Sequence, residues 1–263
     1  VREAAQVLAN AQRPVIVAGG GVTSSGAQQE LVELAELLNI PVATSLNAKG
    51  AIPDNHPLAV GVVGSYSRWC ANRVVHEADL VLYIGSHTGS QVTNEWRVPA
   101  IGTPVIQIDI DPEELGRNYE NTMGIQGDAR DSLEGLYNAL SAAAPARPEN
   151  REGISRLRET RAESAIRVEP QDSLIASVRA AMPEAGILIS GMTQLGYYSR
   201  AYFPVYEPRS FLTSSYFGNL GYAYPTALGA KVAQPDKAVV ALSGDGGFLF
   251  NSQELATAVQ HGI

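Results

Sequence analysis

The chain has 263 residues, 45% of them apolar and 17% charged, which excludes a disordered or fibrous chain and fits one large domain or two of ordinary size. A formal net charge of −8, with no basic block, excludes the usual electrostatic footprint of a nucleic-acid or anionic-membrane surface, so neither partner is expected. The single cysteine, Cys70, excludes an internal disulfide framework and fits a reducing, cytoplasmic setting; no apolar run reaches membrane-spanning length.

The first residues read as a helix already under way, with Ala4, Ala5, Val7 and Leu8 at helical spacing. Pro14 to Ala18 (PVIVA) reads as a strand ending in Gly19-Gly20-Gly21, and a helix follows with Leu31, Leu34, Ala35 and Leu38 on one face. Further strands are expected at Ile40 to Ala43, Leu80 to Ile84 and Val105 to Ile110, the last followed by Asp111-Pro112 and a helix. A helix from Ala129 to about Leu140 closes the unit. Short, continuously apolar strands alternating with helices imply a parallel sheet covered on both faces, a doubly wound, Rossmann-like α/β domain over residues 1–140.

Residues 141–150 (SAAAPARPEN) have no apolar period and read as a linker, continued by a charged helix over about 151–167 whose Arg and Glu residues suit a solvated face. A second strand–helix series occupies 171–263: a helix to Met182, strand Ile187 to Ser190, a Tyr-rich helix and strand Phe211-Leu212. A helix over about Gly221 to Val232 and strand Ala238 to Leu242 lead to Ser243-Gly-Asp-Gly-Gly247, and a last helix starts near Ser252 and is capped by Gly262. Neither end reads as a natural terminus, so the chain is expected to be an excerpt of a longer protein.

The segment after the last strand carries the most chemistry. In open parallel sheets ligands gather beyond the carboxyl ends of the strands. Gly244, Gly246 and Gly247 let the backbone approach an anion and turn successive N–H groups towards it. Asp245 is a carboxylate placed to meet a hard cation such as Mg²⁺, which favours one or two carboxylates together with phosphate oxygens. Asn251 and Glu254 have the spacing of a capping pair for the next helix. Taken alone, Gly-Asp-Gly-Gly is as readily an ordinary turn.

With its flanks, the segment resembles the "GDG … N" motif of thiamine-diphosphate-dependent enzymes, and the wider chain is similar to their acetolactate synthase-like branch. Thr213 to Ala230 (TSSYFGNLGYAYPTALGA) resembles the block that wraps the aminopyrimidine ring, and Ser190-Gly-Met-Thr-Gln194 the loop that touches the diphosphate. The resemblance implies a middle domain followed by a C-terminally truncated thiamine-diphosphate-binding fold. It implies Asp245 as a Mg²⁺ ligand, and Thr193, Gln194, Gly244, Gly246 and Gly247 around the diphosphate. Leu220 would be the wedge that bends the cofactor, and the Gly218 carbonyl would accept from its 4′-amino group, with Asn219 between them. Core packing is the plainer reading of a leucine taken alone.

The reaction so implied is decarboxylation of a 2-oxo acid followed by transfer of the remaining unit to a second carbonyl, with simple decarboxylation as the alternative. A homodimer or homotetramer sharing the site between subunits is also implied. Two family features lie outside the sequence: only 18 residues follow Asp245, too few to reach the second metal ligand, and the activating glutamate belongs to an N-terminal domain. The 263 residues alone are therefore expected to be inactive.

Gly19-Gly20-Gly21 invites a dinucleotide, but the next glycine is Gly26 and the G-x-G-x-x-G spacing is incomplete. The resemblance offers FAD or ADP at Gly19 to Gly21, Gly85, Asp109 and Asp128. The loop Gly85 to Gln91 (GSHTGSQ) lacks the Arg and Asp expected for FAD, and the balance is against it. A non-catalytic nucleotide-binding module is the rival from another class. His56, His76, His87 and His261 show no metal-ligand spacing, and Tyr197, Tyr198, Tyr202, Phe203 and Tyr206 are expected to pack.

Overall fold

The computed structural model describes residues 1–143, 153, 156, 157, 159, 167–215 and 217–263. These divide into two compact units, Val1–Ala165 and Ile166–Ile263. Of the expected linker over 141–150, residues 141–143 instead extend the helix Ala129–Ala143; residues 144–150 and most of the expected charged helix lie outside the described residues. No helix among the described residues is long and apolar enough to cross a membrane.

The first unit is a six-stranded, wholly parallel sheet with strands β1 (Pro14–Ala18), β2 (Val42–Thr44), β3 (Ala59–Val62), β4 (Leu80–Ile84), β5 (Val105–Asp109) and β6 (Thr122–Gln126). Their order, β3-β2-β1-β4-β5-β6, reverses direction between β1 and β4 and makes the sheet doubly wound. Every residue of β1 and β4 is buried, which is why both read as unbroken apolar runs rather than alternating ones. One face packs Ile16, Leu82, Ile106 and Ile108 against α1 (Arg2–Asn10), α3 (Gln28–Leu38) and α5 (Ala129–Ala143) through Leu8, Leu31, Leu34 and Leu133. The other packs Val15, Val17, Val81 and Tyr83 against Ala71 and Val75 of α4 (Trp69–His76). Between β1 and α3 lies the short α2 (Gly20–Ser25).

Two strands were not legible, and one expected helix is absent. β3 is four residues long, contains Gly61 at φ 93°, and pairs with β2 across a register shift at Val42/Ala43, so it has neither length nor clean alternation. The helix expected after Asp111-Pro112 does not form. Asp109 Oδ1 accepts from the Asp111 N–H at 3.1 Å, and Asp111 Oδ1 accepts from Glu113 N–H at 2.9 Å; these turns, with Gly116 at φ 74°, hand the chain to β6 instead. β2 starts at Val42, after buried Ile40 and Pro41, two residues later than expected.

The second unit holds a parallel three-stranded sheet, β8-β7-β9, built from β7 (Ile187–Ser190), β8 (Phe211–Thr213) and β9 (Val239–Leu242). Its helices are α6 (Gln171–Ala181), α7 (Gln194–Tyr202), α8 (Ala223–Ala233), α9 (Asp245–Leu249) and α10 (Glu254–His261). Ile175, Leu188, Phe203, Val205 and Phe211 form its main core. Of the aromatic residues expected to pack, Tyr198 stacks on Tyr202 at 4.5 Å, and Arg179 lies 5.1 Å over the Phe203 ring and 5.6 Å over Tyr206, whereas Tyr197 is exposed. α10 ends as read, with Gly262 in the left-handed conformation at φ 65°.

The candidate cofactor site

In the second unit, three loops leave the carboxyl ends of neighbouring strands. Residues 191–193 follow β7, 214–215 and 217–222 follow β8, and 243–244 follow β9. The first and third are tied at their roots, where Gly191 N–H donates to the Leu242 carbonyl at 2.8 Å. Thr193 is the N-cap residue of α7 and has extended backbone (φ −147°, ψ 163°), yet its hydroxyl makes no capping hydrogen bond. The first-turn N–H groups of α7 thus sit at the loop that carries Thr193 and exposed Gln194. A Cβ placed on Gly244 would stand 3.5 Å from Thr193 Cβ and 3.7 Å from its Oγ1, so the β7 and β9 loops are in contact.

The Gly-Asp-Gly-Gly segment is not a free loop. Gly244 is the N-cap of α9, Asp245 is its first residue, and Phe248 N–H donates back to the Gly244 carbonyl at 2.9 Å. Asp245 is exposed, while a Cβ on Gly246 would meet nothing within 4 Å. Gly247 faces the third loop: a Cβ there would lie 3.2 Å from Ser243 Oγ, 3.9 Å from Gly221 N and 4.0 Å from Leu220 Cδ2.

That third loop carries the apolar part of the site. Gly218 has φ 56°, and a Cβ there would come 3.2 Å from the Met192 methyl group. Leu220 is 47% exposed. Met192 is held from behind by Arg200, a buried guanidinium whose Nη2 lies 3.0 Å from the Met192 sulfur and whose Cζ lies 4.9 Å over the Tyr197 ring. Arg200 carries no motif signal, and Met192, although inside the Ser190–Gln194 block, has no role implied for it; their places follow only from the fold.

Several residues that the resemblance assigns to thiamine diphosphate fall into one region of the second unit. Thr193 lies at Gly244, Gly244–Gly247 form the N-terminal turn of α9, and Leu220 reaches Gly247. The expected capping pair is a correction. The N-cap of α10 is Gln253, with no side-chain bond; Glu254 Oε2 accepts from Thr257 Oγ1 at 2.7 Å, and Asn251 Nδ2 donates 2.7 Å to the Gly221 carbonyl. α10 starts at Glu254 because Asn251 is engaged with the loop after β8.

At the switch point of the first unit the glycines have another use. Gly19 N–H donates to the Ile84 carbonyl at 2.8 Å and Gly21 N–H to that of Gly85 at 3.0 Å, so neither is open to a phosphate. A Cβ on Gly21 would lie 2.6 Å from Gly85 Cα, and Gly85 itself has φ 55°. These residues let two loops touch. Asp109 keeps a buried Oδ2 without a partner, and Asp128 Oδ1 accepts from Arg130 N–H at 2.8 Å. Among the histidines, His56 Nε2 lies 3.1 Å from Glu36, His76 Nδ1 3.3 Å from the Arg97 carbonyl, and exposed His87 4.0 Å from Glu114.

Comparison with known proteins agrees with this organisation. Residues 1–136 match the family described as thiamine pyrophosphate enzyme, central domain, and residues 191–263 match thiamine pyrophosphate enzyme, C-terminal TPP binding domain. A probable acetolactate synthase large subunit of Methanocaldococcus jannaschii is 38% identical over 275 residues, covering 100% of this chain and 46% of its own length. The acetolactate synthase isozyme 3 large subunit of Escherichia coli is 32% identical (99% and 47%), and a probable 2-ketoarginine decarboxylase of Pseudomonas aeruginosa is 37% identical (98% and 45%). The chain thus spans about half the length of the curated relatives it matches. With its doubly wound first unit and the parallel sheet of its second, the chain belongs to the thiamine pyrophosphate enzyme family.

Proposed function

We propose that this chain supplies the diphosphate- and metal-binding half-site of a thiamine-diphosphate- and Mg²⁺-dependent enzyme that joins a two-carbon unit from a 2-oxo acid to a second carbonyl. The observation that carries this reading is the meeting of Thr193, Gly244–Gly247 and Leu220 beyond adjacent strand ends, an anion-accepting backbone beside a half-exposed apolar side chain. The residues fit the cofactor's two halves: the diphosphate needs N–H donors and a cation, and the rings need an apolar support.

In this reading Asp245 binds Mg²⁺ through its exposed carboxylate. Gly246 and Gly247 present backbone N–H groups to the diphosphate, and Thr193 and Gln194 add side-chain donors. The unfilled space at the Gly246 Cα lets the anion approach. Leu220 would give the rings an apolar support, and the carbonyl of Gly218, which has a positive φ, would be the acceptor for the amino group of the pyrimidine. When bound, the cofactor supplies the nucleophilic carbon and the electron sink for loss of CO₂. The second metal ligand and the group that activates the pyrimidine come from other parts of the full protein or a second subunit, in a cytoplasmic homodimer or homotetramer. The 263 residues alone turn over no substrate.

A simple 2-oxo acid decarboxylase is the second reading, and the 37% identity to a probable 2-ketoarginine decarboxylase favours keeping it. Incubation of the full-length protein with pyruvate, Mg²⁺ and thiamine diphosphate separates the two. A carboligase yields a coupled hydroxy-keto acid, and a decarboxylase yields aldehyde and CO₂ in equal amounts. Neither product from any 2-oxo acid, with the cofactor bound, would overturn both.

A further inference from the structure

We infer that Asn251 is a positioning residue that couples the two halves of the site, holding the ring-supporting loop at a fixed height over the diphosphate-binding turn. The inference rests on the cofactor reading above and assigns a role to a side chain outside the motif's ligand set.

Asn251 follows α9, the element that begins with Asp245. Its own N–H donates to the Phe248 carbonyl at 3.1 Å, and its carbonyl accepts from Glu254 N–H at 3.1 Å, so its backbone is fixed between α9 and α10. From there Nδ2 crosses to the loop after β8 and donates 2.7 Å to the Gly221 carbonyl, thirty positions away in sequence. Gly221 directly follows Leu220. It has φ 82°, and a Cβ on it would lie 2.5 Å from Asn251 Nδ2 and 3.0 Å from Phe250 Cβ. The backbone there has room for Asn251 and for nothing larger than hydrogen. Beside this bond Leu220 Cδ2 approaches the Gly247 Cβ position at 4.0 Å, and Tyr224 meets Phe248 edge-on with ring centroids 5.5 Å apart.

The physical consequence is a division of labour. Leu220 is 47% exposed and Leu249 and Phe250 are 71% and 64% exposed, so among the described residues little burial fixes the loop against α9. One short, part-buried hydrogen bond to a carbonyl is then the main directional tie between Leu220 and Asp245. Without it the diphosphate turn persists, because its donors belong to α9 and α7, but the support for the rings loses its register.

The test uses the full-length protein and two probes, thiamine diphosphate and inorganic pyrophosphate, each with Mg²⁺. Asn251→Ala, and the isosteric Asn251→Asp in case the first folds poorly, are expected to weaken thiamine diphosphate about 5- to 10-fold, the worth of one neutral hydrogen bond, while pyrophosphate changes less than about 2-fold. Leu220→Ala should show the same selective loss, and the double variant should lose no more than the larger single loss, because both act on one contact. In the apoprotein, amide exchange over residues 217–222 should quicken in the Asn251 variants and stay unchanged over 194–202. Equal weakening of both probes, or full additivity with Leu220→Ala, would overturn the positioning role. Failure of the unaltered protein to bind thiamine diphosphate would instead overturn the cofactor reading beneath it.

Discussion

Glycine is used in two opposite ways in this molecule, and the difference predicts how substitutions behave. At Gly246 an added methyl group meets open space, whereas at Gly85 it meets Gly21 Cα at 2.5 Å with φ already at 55°. Gly246→Ala should therefore leave the urea midpoint of the protein nearly unchanged and yet weaken diphosphate binding, because the methyl fills the approach of the anion. Gly85→Ala should cost about 2–4 kcal/mol through backbone strain and overpacking. A destabilised Gly246→Ala, or a neutral Gly85→Ala, would contradict these assignments. A tyrosine gives the pH test. Burial, then the hydrogen bond from its hydroxyl to Asp172 (2.9 Å), push the Tyr198 phenol up to about 12 from 10.0. A raised folded-state value means that its stabilising contribution is full below pH 10 and is lost as the pH rises from 10 to about 12. Burial also pushes the phenols of Tyr83, Tyr119 and Tyr222 up, so absorbance titration of tyrosinate should show several late-titrating residues, and Tyr198→Phe should remove one residue's share of that late rise; a loss from the ordinary range instead would refute the environment described.

At the scale of elements, the sequence was most legible where burial was complete. β1 and β4 stand where an unbroken apolar run placed them, and α3 carries the expected stripe of Leu31, Leu34, Ala35 and Leu38, all buried. Leu34 is fully buried, so Leu34→Ala should lower stability by about 2–5 kcal/mol in chemical unfolding; less than about 1 kcal/mol would mean that the α3–sheet core is not packed as described. Legibility failed where side chains overrode pattern. Asp109 and Asp111 build turns that stop an expected helix, Gly61 and a register shift disguise β3, and β6 alternates too weakly to announce itself, with only Ile125 buried. In the site, the residues of the Gly-Asp-Gly-Gly motif were evident from spacing, but α9 was not. Asn251 was read as a helix cap because its distance to Glu254 fits one; only the approach of Gly221 shows that it bonds across the chain instead.

Over the whole molecule, the division of roles follows the two sheets. The first unit is doubly wound, yet at its switch point Gly19 and Gly21 spend their N–H groups on Ile84 and Gly85. In the second, exposed Asp245, the Gly244–Gly247 backbone and Leu220 lie beyond the carboxyl ends of the strands, and the family match covers them from residue 191 onward. The most direct measurement is calorimetric titration of the full-length protein with thiamine diphosphate, with and without Mg²⁺, and with Asp245→Ala. Binding should require Mg²⁺ and be weakened at least about 10-fold by Asp245→Ala, with the fold intact because Asp245 is exposed. Equal binding with and without Mg²⁺, or an Asp245→Ala protein that binds as well as the unaltered one, would contradict the account.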